Sequence, residues 1–340
     1  QAACGMDAIG LDENGKARID YDRCVSCGQC LVSCPFGAIV DKSQIFQVVR
    51  SIAEGNTVVA IVAPSFVGQF GKNVTVPKFV AAMKQLGFSD VVEVAAGADV
   101  CAIEEARDFV EKVPAQQKFL ATSCCPSWRM MARRLFPNES GNISMTYTPM
   151  IYTARLVKHT HPGSKVVFIG PCAAKKLEAM QQELRSDVDF VLTYEELMGI
   201  FEAKAIDFSQ LPDTDDLHDA SGLGRGFAAA GGVAAAVEEV LRRTQPDMEV
   251  KIQRADGLRE CRRLLTLAKA GKFDGYLLEG MACPGGCVAG AGTIIPAEAA
   301  KKQLDAHAKQ ATVFSCAESP YRAFAGLLEE PAAREEETKR

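Results

Sequence analysis

The chain has 340 residues, of which 48% are hydrophobic and 24% are charged, and its formal net charge at pH 7 is −5. This composition is that of a folded globular protein with about two domains, so disorder over most of its length is excluded. The slightly acidic balance gives no basic surface for nucleic acid, and no apolar run reaches the roughly 18 residues of a membrane span. We therefore predict neither a nucleic-acid binder nor a membrane-spanning protein.

Residues 1–45 form a cysteine-rich unit without long periodic segments. Its cysteines Cys24, Cys27, Cys30 and Cys34, the last followed by Pro35, have the C-x-x-C-x-x-C-x-x-x-C-P spacing of [4Fe–4S] ligands. Soft thiolates in short loops suit an iron–sulfur cube, whereas structural zinc usually needs two separated C-x-x-C pairs or histidine. We therefore predict an accessory [4Fe–4S] cluster that passes single electrons.

The fourth ligand of this cluster has two candidates. In two-cluster ferredoxins the cysteine before proline binds the other cluster, and the neighbouring motif supplies the missing ligand. The segment from Cys4 to Ile9 resembles the end of such a motif. Either Cys4 joins Cys24, Cys27 and Cys30, or Cys34 does. In the first case, Cys34 serves a second accessory cluster whose other ligands lie before residue 1.

Residues 46–328 have the pattern of an α/β domain. Short apolar runs, typical of buried strands, alternate with stretches of helical spacing, which favours a mainly parallel sheet with flanking helices. The predicted strands lie at 58–64, 90–94, 119–123, 165–170, 190–193 and 273–278, and clear helices lie at 80–86, 233–241 and 296–310. Residues 329–340 are a highly charged run, which we predict to be a solvated tail.

Cysteines follow three of the predicted strands. They are Cys124 and Cys125, Cys172, and Cys283 with Cys287 close behind. Because the carboxyl ends of parallel strands share one edge, where ligands bind, we expect these sulfurs to meet at one place. Clustered cysteines in a chain long enough to need no disulfides indicate metal ligands and a reducing, oxygen-poor cytoplasm.

The segments that carry these cysteines resemble the three signature segments of the [FeFe]-hydrogenases. They are Thr122–Trp128, Pro171–Lys176 and Glu279–Cys287, and the resemblance runs in the same order from Phe46 to Ala325. It implies parallel sheets with flanking helices around a buried H-cluster, preceded by a small ferredoxin-like α+β domain. The implied activity is the reversible joining of two protons and two electrons into H2.

The resemblance also implies the ligands of the H-cluster. Cys125, Cys172, Cys283 and Cys287 hold a [4Fe–4S] cube, and Cys287 bridges to a two-iron subsite that carries CO, cyanide and azadithiolate. Lys175 matches the lysine that donates to a cyanide. The residues that match the pocket wall around the two-iron subsite are Ala63, Pro64, Ser65, Pro149, Gly170, Phe227 and Met281. For Phe227 and Met281, ordinary core packing is the alternative.

The family's proton path supplies a further set of expected residues. Cys124 is the proton donor beside the metal site, with a small buried thiol as the alternative explanation. The relay to water then runs through Glu105, Ser144, Asp108 and Lys112. Residues 105, 108 and 112 share one helix face by their spacing, although an exposed charged stripe is the alternative for the outer members. Asp108 and Lys112 replace the more common Glu and Arg.

Other departures leave the kind of function open. Gly170 stands where the best-known members have methionine, which we expect to widen the pocket, and Ala291 interrupts a glycine run. In these residues the chain resembles less-studied and sensory branches of the family more than its best-known members. The leading prediction is a hydrogenase with ferredoxin or a similar electron carrier and maturases as partners. The alternatives are an H2 sensor of low turnover and a non-catalytic iron–sulfur assembly relative.

Overall fold

The structure, a computed structural model, describes residues 2–213, 217 and 219–328. The predicted charged tail at 329–340 lies outside the described residues. The β-strands are β1 (Ile9–Leu11), β2 (Ala17–Ile19), β3 (Val58–Val62), β4 (Asp90–Glu93), β5 (Leu120–Ala121), β6 (Lys165–Ile169), β7 (Phe190–Leu192), β8 (Lys251–Asp256) and β9 (Tyr276–Met281).

Helices fill most of the space between the strands. The α-helices are α1 (Gln29–Ser33), α2 (Ile45–Ala53), α3 (Val76–Leu86), α4 (Ala95–Lys112), α5 (Pro126–Leu135), α6 (Pro149–Thr160), α7 (Ala174–Ala179), α8 (Tyr194–Ala203), α9 (Gly222–Gly226), α10 (Gly232–Thr244), α11 (Leu258–Lys269) and α12 (Ala297–Ala308). Among the described residues, none of these helices combines the length and apolar character that a membrane crossing demands.

Two parallel sheets form the body of the molecule. One has the strand order β4-β3-β6-β7 and the other has the order β5-β9-β8, whereas β1 and β2 form an antiparallel hairpin. The predicted α/β class with parallel sheets and flanking helices is confirmed. The expected single sheet edge is replaced by two, because the cysteine-bearing strands divide between the sheets: β6 lies in the first, and β5 and β9 lie in the second.

Burial explains which strands the sequence revealed. Every residue of β3 is fully buried between β4 and β6, so both faces are apolar and the run Val-Val-Ala-Ile-Val is continuous. The sequence prediction missed β8, whose residues Lys-Ile-Gln-Arg-Ala-Asp are exposed or half-buried. Because β8 is at the edge of its sheet and pairs only with β9, backbone hydrogen bonds rather than apolar periodicity define it.

The long helix α4 packs closely on α6 and carries polar side chains into the interior. At Gly97 a Cβ would lie less than 3.0 Å from Pro149 and Thr153 of α6, so only glycine permits this approach. The Gly97 N–H donates to the Thr153 hydroxyl at 3.2 Å. This contact fixes the start of α6, where Pro149 forms part of the wall described below.

The N-terminal unit consists of the β1–β2 hairpin, the cysteine loop and α1. Its apolar residues Met6, Ala8 and Val25 are buried in the same core as Trp128 of α5 and Leu258 of α11. The unit therefore packs directly on the larger body. The division of the chain into domains at 1–45 and 46–328 stays a prediction.

Candidate metal centre

Cysteines from three separate segments line one internal cavity. Cys124 and Cys125 follow β5, Cys172 follows β6, and Cys283 and Cys287 follow β9. All five side chains are partly buried, and they line this cavity together. The carboxyl ends of two parallel sheets thus meet at one place, as the sequence predicted for a single sheet edge.

The chemistry of the four thiols at 125, 172, 283 and 287 fits a cationic iron–sulfur group. Burial raises the pKa of Cys172 to about 11 and that of Cys287 to about 12, and negative charge on the neighbouring thiols adds to both shifts. Burial also raises the pKa of Cys125 and Cys283. Four such thiols ionise together only when a bound cation neutralises them, and soft sulfur ligands suit iron–sulfur clusters.

A backbone N–H points to one thiol of this set, and the described side chains do not form a site for a single metal ion. The Ala282 N–H points to Cys125 Sγ at 3.4 Å, a type of hydrogen bond that adjusts the potential of iron–sulfur clusters. Within the described residues, no three His, Cys, Asp or Glu side chains are close enough together to hold a single metal ion.

The glycines beside Cys287 are needed for packing within the protein. A Cβ on Gly286 would lie 2.5 Å from the Ala230 nitrogen, and a Cβ on Gly290 would lie 2.5 Å from the Pro171 carbonyl oxygen. A glycine can also let the backbone approach a bound group, because it has no Cβ. At Gly286 the close neighbour is instead the backbone of residues 228–230, so the ligand-bearing turn lies directly on another segment of the wall.

Lys175 lines the cavity and has an acidic partner. Its Nζ lies 2.6 Å from Glu178 Oε2 and 3.4 Å from the Cys124 carbonyl oxygen, and the residue is 8% exposed. Burial alone would lower the pKa of Lys175, but Glu178 and the thiols of Cys172 and Cys124 raise it overall. Lys175 therefore brings a positive charge to the thiol cluster and forms a salt bridge with Glu178.

Cys124 lines the cavity, and the buried acid Glu105 lies near it in the interior of the protein. Burial, followed by the nearby Glu105, raises the pKa of the Cys124 thiol well above its usual value. Glu105 is 0% exposed, and burial raises its pKa to about 8. Its Oε1 accepts hydrogen bonds from the Ser123 N–H at 2.8 Å and the Ser123 hydroxyl at 3.0 Å, but its buried Oε2 has no partner among the described residues. This arrangement fits a protonated carboxyl group.

Ser123 and Thr146 extend this polar cluster, and the sequence prediction missed both. The Ser123 hydroxyl lies 2.7 Å from the Thr146 carbonyl oxygen as well as near Glu105. The Thr146 hydroxyl in turn lies 2.8 Å from the Ser144 hydroxyl. Ser123 immediately precedes the cysteine pair, and this adjacency was the only sequence signal for it. Nothing in the sequence marked Thr146.

The outer residues of the predicted relay lie in contact with one another. The Ser144 hydroxyl donates to Asp108 Oδ2 at 3.0 Å, and Lys112 Nζ lies 3.0 Å from Asp108 Oδ1. The Asp108 and Lys112 side chains are 20% and 26% exposed, so this end of the chain of polar groups reaches the surface. The structure thus connects Ser144, Asp108 and Lys112 directly. Ser123 joins Glu105 to the backbone carbonyl group of Thr146 rather than to its hydroxyl, so among the described residues the hydrogen bonds from Glu105 to Ser144 are interrupted at Thr146.

Most of the predicted wall residues line the cavity. These are Ala63, Pro64, Pro149, Phe227 and Met281. Ser65 is not among the lining residues: its hydroxyl lies 2.8 Å from the Tyr194 hydroxyl, which also donates to the Ala63 carbonyl oxygen at 3.0 Å. Tyr194, which the sequence prediction missed, therefore fixes the loop that contains both residues.

Gly170 differs from expectation. It is not among the residues that line the cavity, and a Cβ at this position would lie 2.5 Å from Phe168 Cζ and 3.1 Å from the Ala63 Cβ. The ring of Phe168 fills the space beside Gly170 and itself lines the cavity. The predicted widening of the pocket at Gly170 is therefore wrong, because an aromatic ring from the preceding strand occupies that volume.

A second cavity lies in the N-terminal unit and contains four cysteines. Cys4, Cys24, Cys27 and Cys30 line it together. The Ala8 N–H points to Cys4 Sγ at 3.3 Å, and the Ser26 N–H points to Cys24 Sγ at 3.4 Å. Burial raises the pKa of Cys27 to about 11. These four thiols fit a [4Fe–4S] cube by the same reasoning as the first set.

Cys34 lies apart from this group. It lines a surface cleft next to Phe36, which is 88% exposed, and backbone N–H groups, chiefly that of Ala38, lower the pKa of its thiol. Of the two candidates for the fourth ligand, the geometry favours Cys4. The assignment stays a proposal.

Comparison with protein families gives two matches. A model of the iron-only hydrogenase large subunit, C-terminal domain, matches residues 56–291, and a 4Fe-4S binding domain matches residues 16–39. The first match covers more than half of the chain and includes Cys124, Cys125, Cys172, Cys283 and Cys287. The second includes the four cysteines from Cys24 to Cys34 but not Cys4.

Known proteins of two kinds resemble the chain. It is 30% identical to the NADP-reducing hydrogenase subunit HndD of Solidesulfovibrio fructosivorans, over 79% of this chain and 55% of that protein. It is also 30% identical to the periplasmic [Fe] hydrogenase large subunit of Nitratidesulfovibrio vulgaris, over 81% and 85%. Cytosolic iron-sulfur assembly component 3 of Bos taurus is 26% identical over 87% and 76%.

The fold also matches solved structures. An apo [FeFe]-hydrogenase from Chlamydomonas reinhardtii, variant C377H, superimposes with a TM-score of 0.70 at 20% identity, over 87% of this chain and 97% of that one. The chain spans only about half the length of HndD and of iron hydrogenase 1 of Clostridium pasteurianum. By its fold, its family match and its identity to the two bacterial hydrogenases, the chain belongs to the iron-only hydrogenase large-subunit family.

Proposed function

We propose that this chain is an [FeFe]-hydrogenase that catalyses the reversible reaction of two protons and two electrons to H2. One observation carries the proposal: four thiols suited to an iron–sulfur group, the free thiol Cys124 and the cation Lys175 line one cavity. Retention of the free thiol and the lysine beside the four ligands supports a reacting site over a purely structural cluster.

In this proposal Cys125, Cys172, Cys283 and Cys287 would hold the [4Fe–4S] cube of an H-cluster, and Cys287 would be the ligand shared with the two-iron subsite. When bound, that subsite would supply an open metal position at which protons and electrons combine. Lys175, which lies beside Cys124, would donate a hydrogen bond to a cyanide of the subsite. Apolar side chains exclude bulk water around it; they are Ala63, Pro64, Pro149, Phe168, Phe227 and Met281.

Cys124 supplies the proton at the reacting position. Its thiol is protonated at neutral pH, and Glu105 is the adjacent acid that restores the proton after transfer. From Glu105 the proposed path leads to the outer part of the relay past the hydroxyl groups of Ser123 and Thr146, and the Thr146 carbonyl oxygen holds the Ser123 hydroxyl without taking up a proton. Ser144, Asp108 and Lys112 then exchange protons with water at the surface.

Electrons enter through the N-terminal unit. Cys4, Cys24, Cys27 and Cys30 hold an accessory [4Fe–4S] cluster there, and Cys34 is available to a second one. A ferredoxin or a similar small electron carrier is the partner, and maturases insert the two-iron subsite. We propose a cytoplasmic location, although the similar hydrogenase of Nitratidesulfovibrio vulgaris is named as periplasmic.

The experiment is a hydrogen-evolution assay on the matured protein with reduced methyl viologen as the electron donor. Cys124→Ala should lower the rate by about 10²- to 10⁴-fold, the usual contribution of a positioned proton donor. Cys101→Ala is the matched control, because Cys101 is a buried free thiol of α4 that is not among the residues lining the cavity. Equal rates for the two variants would contradict the assigned function of Cys124.

A second candidate is a role in iron–sulfur assembly without H2 chemistry. The similarity to cytosolic iron-sulfur assembly component 3 favours it. In that case iron is bound at both cysteine sites but no H2 is evolved after maturation. A sensor of low turnover would instead evolve H2 slowly and still lose this activity in Cys124→Ala.

A further inference from the structure

The N-terminal cysteine unit is held on the larger body by a shared core. Val25, which lies between Cys24 and Cys27 in sequence, is 1% exposed and packs in the apolar cluster that includes Trp128 and Leu258. A tethered electron-transfer module would have its own core and a polar boundary. Here the loop that carries the cysteines is part of the core of its neighbour.

Polar contacts reinforce this docking at two sites. Lys176 Nζ lies 2.7 Å from Asp41 Oδ2 and 2.8 Å from Glu196 Oε2, and Lys176 is buried. On the other side, the Arg134 guanidinium at the end of α5 donates to the carbonyl oxygens of Tyr21 and Cys24. Both helices follow segments that carry ligands of the larger site.

One steric contact sets the spacing between the two cysteine sites. Gly28 has a φ of +76°, and a Cβ on it would lie less than 3.0 Å from the Cβ of Ala291 and 3.5 Å from that of Ala173. Ala291 follows the Cys287 turn, and Ala173 follows Cys172. The backbone at Gly28 therefore rests on side chains that adjoin two ligands of the larger site, and no larger residue fits there.

Cys27, the neighbour of Gly28, lines both cavities. It is one of the four cysteines around the N-terminal cavity and also contributes to the wall of the larger one. Of the four N-terminal thiols, Cys27 alone lines both sites.

We propose that Gly28 and Ala291 are positioning residues that hold Cys27 against the larger site, making Cys27 the point at which electrons leave the N-terminal cluster. One electron passes from the reduced N-terminal [4Fe–4S]⁺, which becomes [4Fe–4S]²⁺, to the oxidised cube held by residues 125, 172, 283 and 287, which becomes reduced. No bond or proton changes, and an external one-electron donor re-reduces the first cluster. The inference rests on the proposed binding of both clusters, not on hydrogen turnover.

The test measures the magnetic interaction between the two reduced clusters by electron paramagnetic resonance on the reconstituted full chain reduced with dithionite. In Gly28→Ala the new methyl group pushes the N-terminal unit away from Ala291, so the spin–spin splitting should be lost while iron per chain is unchanged. In the double variant Gly28→Ala, Ala291→Gly, the contact is relieved and the splitting should return. This recovery distinguishes a positioning role from general damage.

Gly15→Ala is the matched control. Gly15 also lies in the N-terminal unit and has a φ of +73°, and a Cβ added to it would meet no atom within 4 Å, so this variant introduces the same backbone strain without the contact. It should keep the splitting. The proposal is contradicted if Gly28→Ala keeps it, if Gly15→Ala loses it equally, or if the double variant recovers nothing. Should Gly28→Ala fail to fold, the Ala291→Val variant must lose the spin–spin splitting instead, because its larger side chain enters the same contact from the side of residue 291.

Failure of this inference is distinguishable from failure of the proposed function. H2/D2 exchange requires only the larger site, so a hydrogenase with a displaced N-terminal unit keeps exchange and loses viologen-coupled turnover. If no variant evolves H2 but the spin–spin splitting follows the predicted pattern, the positioning inference stands and the proposed hydrogenase function fails. If exchange and viologen-coupled turnover both stay at wild-type rates in Gly28→Ala, the positioning inference is refuted.

Discussion

Replacement of Glu105 by glutamine isolates the energetic consequence of burying an acid beside the metal site. Glu105 is fully buried, its pKa is raised to about 8 by burial, and within the part of the chain that the structure describes one of its oxygens has no partner. Glutamine has nearly the shape of the protonated acid and keeps an oxygen for the two hydrogen bonds from Ser123. The variant therefore removes the titration while leaving the packing almost unchanged.

The sign and size of the effect follow from the two pKa values. Between about pH 4.5 and pH 8 the unfolded chain ionises Glu105 while the folded chain keeps it protonated, so ionisation favours unfolding and stability falls as pH rises. Each pH unit well inside this window costs about 1.4 kcal/mol. Between pH 5 and pH 7.5 the wild type therefore loses about 3 kcal/mol that Glu105→Gln does not lose.

The assay is anaerobic urea unfolding of both proteins at these two pH values. The difference in unfolding free energy between variant and wild type should grow by about 3 kcal/mol from pH 5 to pH 7.5. Glu111→Gln is the control, because Glu111 is an exposed carboxylate of the same helix, and it should show no such growth. A change below about 1 kcal/mol for Glu105→Gln would mean that the buried carboxyl group is already ionised at neutral pH.

Three further substitutions test other parts of the site. Glu178→Gln removes the carboxylate 2.6 Å from Lys175 and should destabilise the protein by about 3–5 kcal/mol in urea unfolding, since a buried cation loses its counter-ion. Gly170→Met should disturb the Phe168 ring and lower hydrogen evolution, and Phe168→Ala in the same chain should restore part of the rate; an unchanged rate and infrared spectrum in Gly170→Met would remove this argument. Thr193→Ala removes the N-cap of α8 and should lower the unfolding free energy by about 1 kcal/mol without affecting the bound iron.

The sequence predicted those parts of the fold that depend on local patterns. Strands buried on both faces, such as β3 and β6, were evident as continuous apolar runs. Two features escaped prediction. The edge strand β8 has no apolar pattern, and the division of the strands into two sheets depends on long-range pairing, such as that of β5 with β9, which no local pattern encodes.

In the candidate site, too, the sequence predicted the residues that a local pattern marks and missed the others. Cysteine spacing indicated the ligand segments, because ligation constrains residue type and separation together. The hydroxyl groups of Thr146 and Tyr194 escaped notice, since isolated polar residues have no spacing signature and only the folded chain brings them near Ser144 and Ala63. The position of the Phe168 ring beside Gly170 was equally unpredictable, because only the folded backbone turns that ring of β6 towards the glycine that follows the strand.

The most direct test of the proposed function is anaerobic infrared spectroscopy of the matured full chain, with iron content measured on the same sample. The proposal predicts CO and cyanide stretching bands, together with iron in excess of the eight atoms that two [4Fe–4S] cubes contain, and it predicts that Cys124→Ala alters the bands. A sample with two complete cubes and no such bands would contradict the hydrogenase assignment and leave an iron–sulfur protein of the assembly type.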